Sequence, residues 1–239
     1  MKANQRISRE REAAAGGGLL GEWWTDVNTD LTAATVTEID QTKAAEIVLR
    51  YCHPATMPQA VTRCFGFFHD GVLAGACVFA ERPGSNLLSH ATSDVPADAL
   101  YLARGACVHW AHPHAASWFL TRVGRLLAPC SIIAYSDPAT GEVGTIYQAL
   151  GWWYLGAAVG GPTAARVDGR VVTMRSFRRD RGYQCGQAMS DFAAAFPRST
   201  VTPIGRKGRY LGAYGDRRFR AEVRSRVTPL PYPKRRVTA

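Results

Sequence analysis

The chain has 239 residues, 46% of them hydrophobic, with a formal net charge of +10 and an isoelectric point near 9.6. That length buries a core without staples; no apolar run reaches the ~18 residues of a membrane span, and the charged, then glycine-rich opening MKANQRISREREAAAGGG has no apolar segment of a secretory leader. The six cysteines form no CxxC pair and lie in apolar text such as GACVFA and GACVHW, which argues against a zinc ribbon and predicts reduced, buried thiols in a cytoplasmic protein.

Residues 1–18 are expected to form a disordered arm ending in a glycine linker. LLGEWW then opens the ordered part, and residues 19–160 are expected to form the core. AATVTEID alternates and predicts a strand near residues 33–40. QTKAAEIVLRYC has apolar residues at helical spacing, with Thr42 available near the N-cap. TRCFGFFHDGVLAGACVFAERP predicts a hairpin turning at Asp70-Gly71. ALYLARGACVHW reads as a strand bent at Gly105. HPHAASWFLTRVGRLLAP reads as a helix with Pro113 at its first position and Trp118, Phe119, Val123, Leu126 and Leu127 as its apolar stripe. SIIAYS is a short buried strand, TIYQALG a short helix closed by Gly151, and WWYLGAAVGG a further strand.

The composition changes near residue 161. Residues 1–160 carry a net charge of −3 and residues 161–239 a net charge of +13. RVDGRVV predicts a second hairpin at Asp168-Gly169, GYQCGQAMSDFAAAFP a helix, RSTVTPIGRKGRYLGAYGDRRFRAEV a strand pair around basic turns, and TPLPYPKRR an extended end. This basic region is expected to pack on the core. Its arginines alternate with Tyr183, Tyr210, Tyr214, Phe219 and Tyr232, a combination suited to following phosphates and stacking on bases, so double-stranded DNA is the expected partner. Arg206, Lys207, Arg209, Tyr210 and Arg217 are the candidate DNA contacts, and Trp152 or Tyr210 is a candidate to stack on a flipped base.

The order β-α-β-β-β-α-β-α-β predicts one α/β (α+β) domain. A hairpin leading into a strand–helix–strand unit, a short helix and a last strand resembles the GNAT acyltransferase fold. That resemblance implies a mixed central sheet, splayed in the middle, with helices on both faces and, here, a basic C-terminal extension. It also extends to TIYQALGWWYLG, where the fold often has a tyrosine close to the reacting thioester; Tyr147 is then a general acid or hydrogen-bond donor. The fold's usual glycine-rich loop cradles the CoA pyrophosphate on backbone amides. The corresponding text, HWAHPHAASWFL, has no glycine, so that cradle is missing.

YSDPATGEVGTIYQALGWWYLG resembles the "YADPxxGHxGTIYxAxxF" segment of the Mom family of phage DNA adenine-modification proteins. LARGACVHWAHPHAASWFLTRVGRLL is similar to the family's "LTRLxV…NAESWFL" strand and helix, and the FGFF…DGVLAGACVF hairpin and basic C-terminal region also correspond, so the likeness covers roughly residues 40–236. The resemblance implies conversion of DNA adenine to its N6-carbamoylmethyl (acetamido) form, as protection from host restriction, by a GNAT-like transferase. It implies catalytic roles for Arg104, Ser117, Asp137 and Tyr147, with Ser136 and Thr145 beside the substrate. It leaves the small-molecule donor and a homodimer open. An iron requirement has been proposed for the family, for which Cys52 and His53 are the candidate ligands here. Two departures stand out: Glu142 replaces the usual histidine, and Ala116 the usual glutamate.

Each residue also has a plainer use. Asp137 before Pro138 forms turns well, Thr145 suits a helix cap, Tyr147 suits a half-buried position, and Arg104 suits pairing with an acid on a neighbouring strand. His109, His112 and His114 need not converge on a strand-to-helix turn. An acyl-CoA-dependent N-acyltransferase using acetyl-CoA, and a non-catalytic DNA-binding protein on the same scaffold, are the alternative functions.

Overall fold

A computed structural model describes residues 10–12, 14–15, 30–52, 55–81, 96, 98–138, 141–158, 164–167, 170–173, 194–195 and 207–234. The segments LLGEWW and GYQCGQAMSDF fall outside these, as does most of the N-terminal arm. Within the arm, residues 10–12 are helical, and the Glu12 carboxylate meets Arg50 at 2.9 Å.

The first strand, β1 (Thr35–Glu38), is followed by helix α1 (Gln41–Tyr51). Asp40, rather than Thr42, caps this helix, because its carboxylate accepts the Lys43 amide at 2.8 Å. Ala44, Ile47, Val48 and Tyr51 form its buried face. Strands β2 (Val61–His69) and β3 (Val72–Ala80) form the expected hairpin. Asp70 and Gly71 both have positive φ, +48° and +77°, as a two-residue primed turn requires. Next come β4 (Leu100–Cys107), α2 (Ala115–Leu126), β5 (Cys130–Ser136), α3 (Thr145–Ala149) and β6 (Trp153–Ala157). Helix α2 begins two residues after Pro113, with His114 as its N-cap, so Pro113 lies outside the helix. A separate antiparallel pair, β7 (Ala164–Val167) and β8 (Arg170–Thr173), forms where the second hairpin is expected.

The large sheet has seven strands in the order β1-β2-β3-β4-β5-β9-β6, where β9 is Gly208–Tyr214. Only the central β4–β5 pair among its described contacts is parallel; it joins Leu100–Leu102 to Ile132–Ala134. Past that register β4 pairs with β3 and β5 with β9, so the two strands part. The sheet is thus mixed and forked at its centre, as the GNAT-like reading expects.

Helices cover both faces. Phe67 of β2 packs on Trp118 and Phe119 of α2, at ring separations of 5.7 and 5.9 Å. Its neighbour Phe68, on the opposite face by strand alternation, meets Lys43 of α1 at 5.4 Å. Ile132 and Ala134 likewise join the main core, whereas Ile133 joins a second cluster with Leu155, Leu211 and Val223.

Two features of the C-terminal region differ from the sequence reading. The sheet does not end with residues before 160, because β9 inserts between β5 and β6. Residues 217–225 are not a strand but helix α4 (Arg217–Ser225), started by the Asp216 carboxylate accepting the Phe219 amide at 2.7 Å. The half-buried Phe219 and the buried Val223 and Val227 recur every four residues, which is a helical period.

Strand β9 fits because it is narrow where its neighbours are wide. A Cβ at Gly212 would lie 2.4 Å from Trp152 Cε2, and Trp152 is buried. Gly212→Ala is therefore expected to lower stability by about 1–3 kcal/mol through overpacking, measured by urea unfolding.

Candidate functional site

The fork between β4 and β5 gathers side chains from both halves of the chain. Helix α3 brings Tyr147. Its N-cap, Gly144, has φ +76°, and a Cβ there would lie 2.4 Å from the Tyr210 ring; only glycine satisfies both demands. The Tyr210 hydroxyl donates to the Val143 carbonyl at 2.6 Å, and the Gln148 amide donates to the same carbonyl at 2.8 Å and to the Tyr210 hydroxyl at 3.1 Å. The loop and the start of α3 are therefore fixed from beneath by β9.

The Tyr147 ring is held between Trp152, at 5.1 Å and 19°, and Tyr210, at 5.2 Å. Trp152 donates to the Tyr214 hydroxyl at 3.1 Å, and the Tyr232 hydroxyl donates to the Trp152 carbonyl at 3.0 Å. Burial pushes the Tyr147 phenol well up, and the neighbouring Glu142 carboxylate pushes it further. Tyr101, Cys52 and Tyr210 push it the same way, less strongly. Such a phenol keeps its proton at neutral pH and serves as a donor.

Arg104 lies on β4 beside a bulge: Val78 pairs with Arg104 and Phe79 with Leu102, leaving Ala103 as the extra residue. Bulges re-aim side chains. Here the guanidinium reaches the segment after α1, donating to the Thr56 carbonyl at 2.8 Å and the Thr56 hydroxyl at 3.3 Å, and also to the Ala103 carbonyl at 2.7 Å. Arg104 thus ties β4 to that segment and sets a fixed positive charge near Cys52. The Glu142 carboxylate raises both Cys52 and Tyr147 by its negative charge. Asp137 stands at the rim, 3.8 Å from Lys207, and its carbonyl accepts the Glu142 amide at 3.1 Å.

The remaining candidates divide. Ser117 is in the first turn of α2, where its hydroxyl donates to the His114 carbonyl at 3.0 Å. Ser136 is buried beside Tyr210, and Thr145 is exposed as the first residue of α3, so the cap there is Gly144. Arg209 is buried and donates to the Leu155 carbonyl, and Tyr210 is fully buried. Neither contacts DNA in this arrangement, because a strand covered on both faces hides successive side chains alike. Trp152, also buried, has no face open to a base. Arg206 and His53 lie outside the described residues, and Lys207 is part-exposed.

Among the described residues no three His, Cys, Asp or Glu side chains gather to hold an iron, and His53, one of the two candidate ligands, lies outside them. Cys52 donates its thiol to the Gly105 carbonyl, and burial pushes it up to about 11. His109 is buried against the Tyr51 hydroxyl at 2.9 Å, whereas His112 accepts the His114 amide at 3.0 Å. The ordinary CoA cradle does not fit. The His114 amide is spent on His112, and the Ala115 amide donates to the His112 carbonyl at 2.8 Å.

Sequence reasoning did not assign roles to Tyr101, Thr56 or Glu142. Glu142 had a visible signal, its place in the central motif, but that signal marked it only as a departure. Tyr101 and Thr56 become neighbours of the site through the parallel pairing and the bulge, which leave no local mark in the text.

A mixed sheet forked at its centre with helices on both faces makes a GNAT-like fold. The Mom protein family model matches residues 33–234, and the chain belongs to that family. Membership points to DNA modification by a transferase, with DNA as the substrate class. No curated protein matches the chain. The ribosomal-protein-S18-alanine N-acetyltransferase from Escherichia coli is similar in structure, with a TM-score of 0.35 and 10% identity over 76% of this chain and 92% of that one. Among the described residues, no helix is long and apolar enough to cross a membrane.

Burial raises both Cys52 and Cys130 from 9.0 to about 11. The folded state thus favours their neutral thiols. The stability they contribute is full below pH 9.0 and is lost as pH rises towards 11. Urea unfolding across that window should show falling stability, and a Cys52→Ala/Cys130→Ala chain should show a shallower fall.

Proposed function

We propose that this protein is a DNA-modifying transferase that places a carbamoylmethyl (acetamido) group on N6 of adenine, hiding phage DNA from host restriction enzymes. The observation that carries this reading is the fork itself: Arg104, Asp137, Glu142 and Tyr147 all lie within residues 33–234, matched by the Mom family.

The chemistry is coherent with these residues. The exocyclic amine of adenine is a weak nucleophile because its lone pair is delocalised into the ring. It needs orientation, and it must lose a proton as the new C–N bond forms and the bond from the carbamoylmethyl carbon to the donor breaks, the electron pair leaving with the donor fragment. Tyr147 is held protonated, so it donates a hydrogen bond, to the leaving group or to the base edge. The proton acceptor is then a carboxylate. Asp137 waits at the rim beside Lys207, and Glu142 lies deeper beside Tyr147. Arg104 holds β4 in place and supplies fixed positive charge. N6 is paired in the duplex, so the target base must leave the stack.

The test is expression in bacteria, digestion of the DNA to nucleosides and mass analysis of deoxyadenosine. A modified deoxyadenosine is expected. Tyr147→Phe should lower its yield by about 100-fold or more while keeping the melting temperature, because the ring stack on Trp152 and Tyr210 remains. Asp137→Asn and Glu142→Gln separate the two acceptors: the true one loses activity and the other does not. Absence of any modified base, or wild-type yield from Tyr147→Phe, would refute the reading. A rise in melting temperature with CoA would favour an acyl-CoA transferase instead.

A further inference from the structure

The +13 charge of residues 161–239 needs a surface, and Arg209 does not supply one because it is buried. Helix α4 does. It turns Val223 and part of Phe219 into the second core cluster, with Leu211, Leu155 and Ile133. Arg217, Arg218 and Arg220 are exposed. By helical spacing these arginines lie on the sides away from Phe219 and Val223. The acids on the helix are otherwise engaged: Asp216 caps the Phe219 amide and Glu222 pairs with Arg226. Arg224 donates to the Val227 carbonyl at 3.0 Å and stands over Trp153.

A second observation is that two of these arginines break a local rule. Arg217 and Arg218 occupy the first turn of α4, which holds no acidic residue. The helix dipole disfavours positive charge there. Residues that cost local stability without a packing return concentrate at functional surfaces. The cluster beneath α4 includes Tyr101 and Tyr135 of the two forked strands, whose rings meet at 5.8 Å, so the helix packs on these strands from the face opposite the main core that holds Tyr147.

We infer that the arginine face of α4, formed by Arg217, Arg218 and Arg220, docks the phosphate backbone of duplex DNA; the choice of DNA rests on the function proposed above. The test is fluorescence anisotropy of the full chain with a labelled duplex of arbitrary sequence, from about 50 to 200 mM salt. Arg217→Gln/Arg218→Gln/Arg220→Gln is compared with Arg122→Gln/Arg125→Gln on α2, which covers the opposite face. Wild type and the α2 variant should bind with the same steep salt dependence. The α4 variant should bind roughly tenfold more weakly or worse, with the slope of log affinity against log salt shallower by about 2.7. Its melting temperature should equal or exceed that of wild type, since two charges opposing the dipole are gone. A wild type that binds, with an α4 variant of unchanged slope, would overturn this assignment and leave the DNA-modification reading standing. A loss confined to RNA, with duplex binding intact, would also overturn it. A wild type with no salt-dependent duplex affinity would overturn both.

Discussion

Tyr210 joins the two halves of this chain at the place where they must agree. Its hydroxyl supports the Val143 carbonyl, its ring fills the space that Gly144 leaves, and its faces meet Tyr147 and Tyr154. A buried tyrosine contributes a large apolar area and needs a partner for its hydroxyl. Here the partner is the backbone of the loop that presents α3. The position of Tyr147 is therefore set by a strand some sixty residues further on, and β9 can be neither removed nor slipped by one residue without turning Tyr210 to the other face.

That dependence explains why the basic region and the fork form one structure. Insertion of β9 between β5 and β6 lets β5 keep a full ladder, from Cys130 to Ser136, while β4 leaves it after Leu102. Without β9, the end of β5 would present unpaired backbone groups at the fork, a cost no buried strand sustains. The same strand places Lys207 against Asp137, so the rim of the fork also comes from both halves.

Much of the fold was legible where signals are local. The Asp70-Gly71 turn, the period of α2 and the apolar run of β5 each act within a dozen residues, and each is present. Boundaries moved where two polar residues compete for one cap, as Asp40 does with Thr42. The order β5-β9-β6 was not legible, because a strand returning after a long connection leaves no local pattern. Helix α4 reads as a strand until Phe219, Val223 and Val227 are counted at a spacing of four. Charge misled at Arg209 and Tyr210 for a related reason. Composition reports that a segment is basic and aromatic, but strand alternation and sheet position decide which side chains reach solvent. Of the candidate site residues, Asp137, Glu142 and Tyr147 stand in the central motif and Arg104 in LARG, whereas the bulge at Ala103 that re-aims Arg104 is a product of tertiary pairing.

The electrostatics of the fork follow from its depth. A phenol enclosed by aromatic rings cannot give up its proton cheaply, and a carboxylate next to it raises that cost, so the inner position is fixed as a neutral donor. Glu142 in place of the family's usual histidine strengthens this division. A histidine there would be neutral or positive near pH 7 and would ease ionisation of Tyr147, whereas a carboxylate opposes it. On the proposed function, the substitution leaves proton acceptance to the carboxylates rather than to the phenol. Arg104, tied by hydrogen bonds to Thr56 and Ala103, offsets part of the resulting negative charge without being free to swing into the fork. On the function proposed above, this inner site is the one that takes the neutral base edge, and the phosphates that come with it are met elsewhere, on a surface where arginines remain in water.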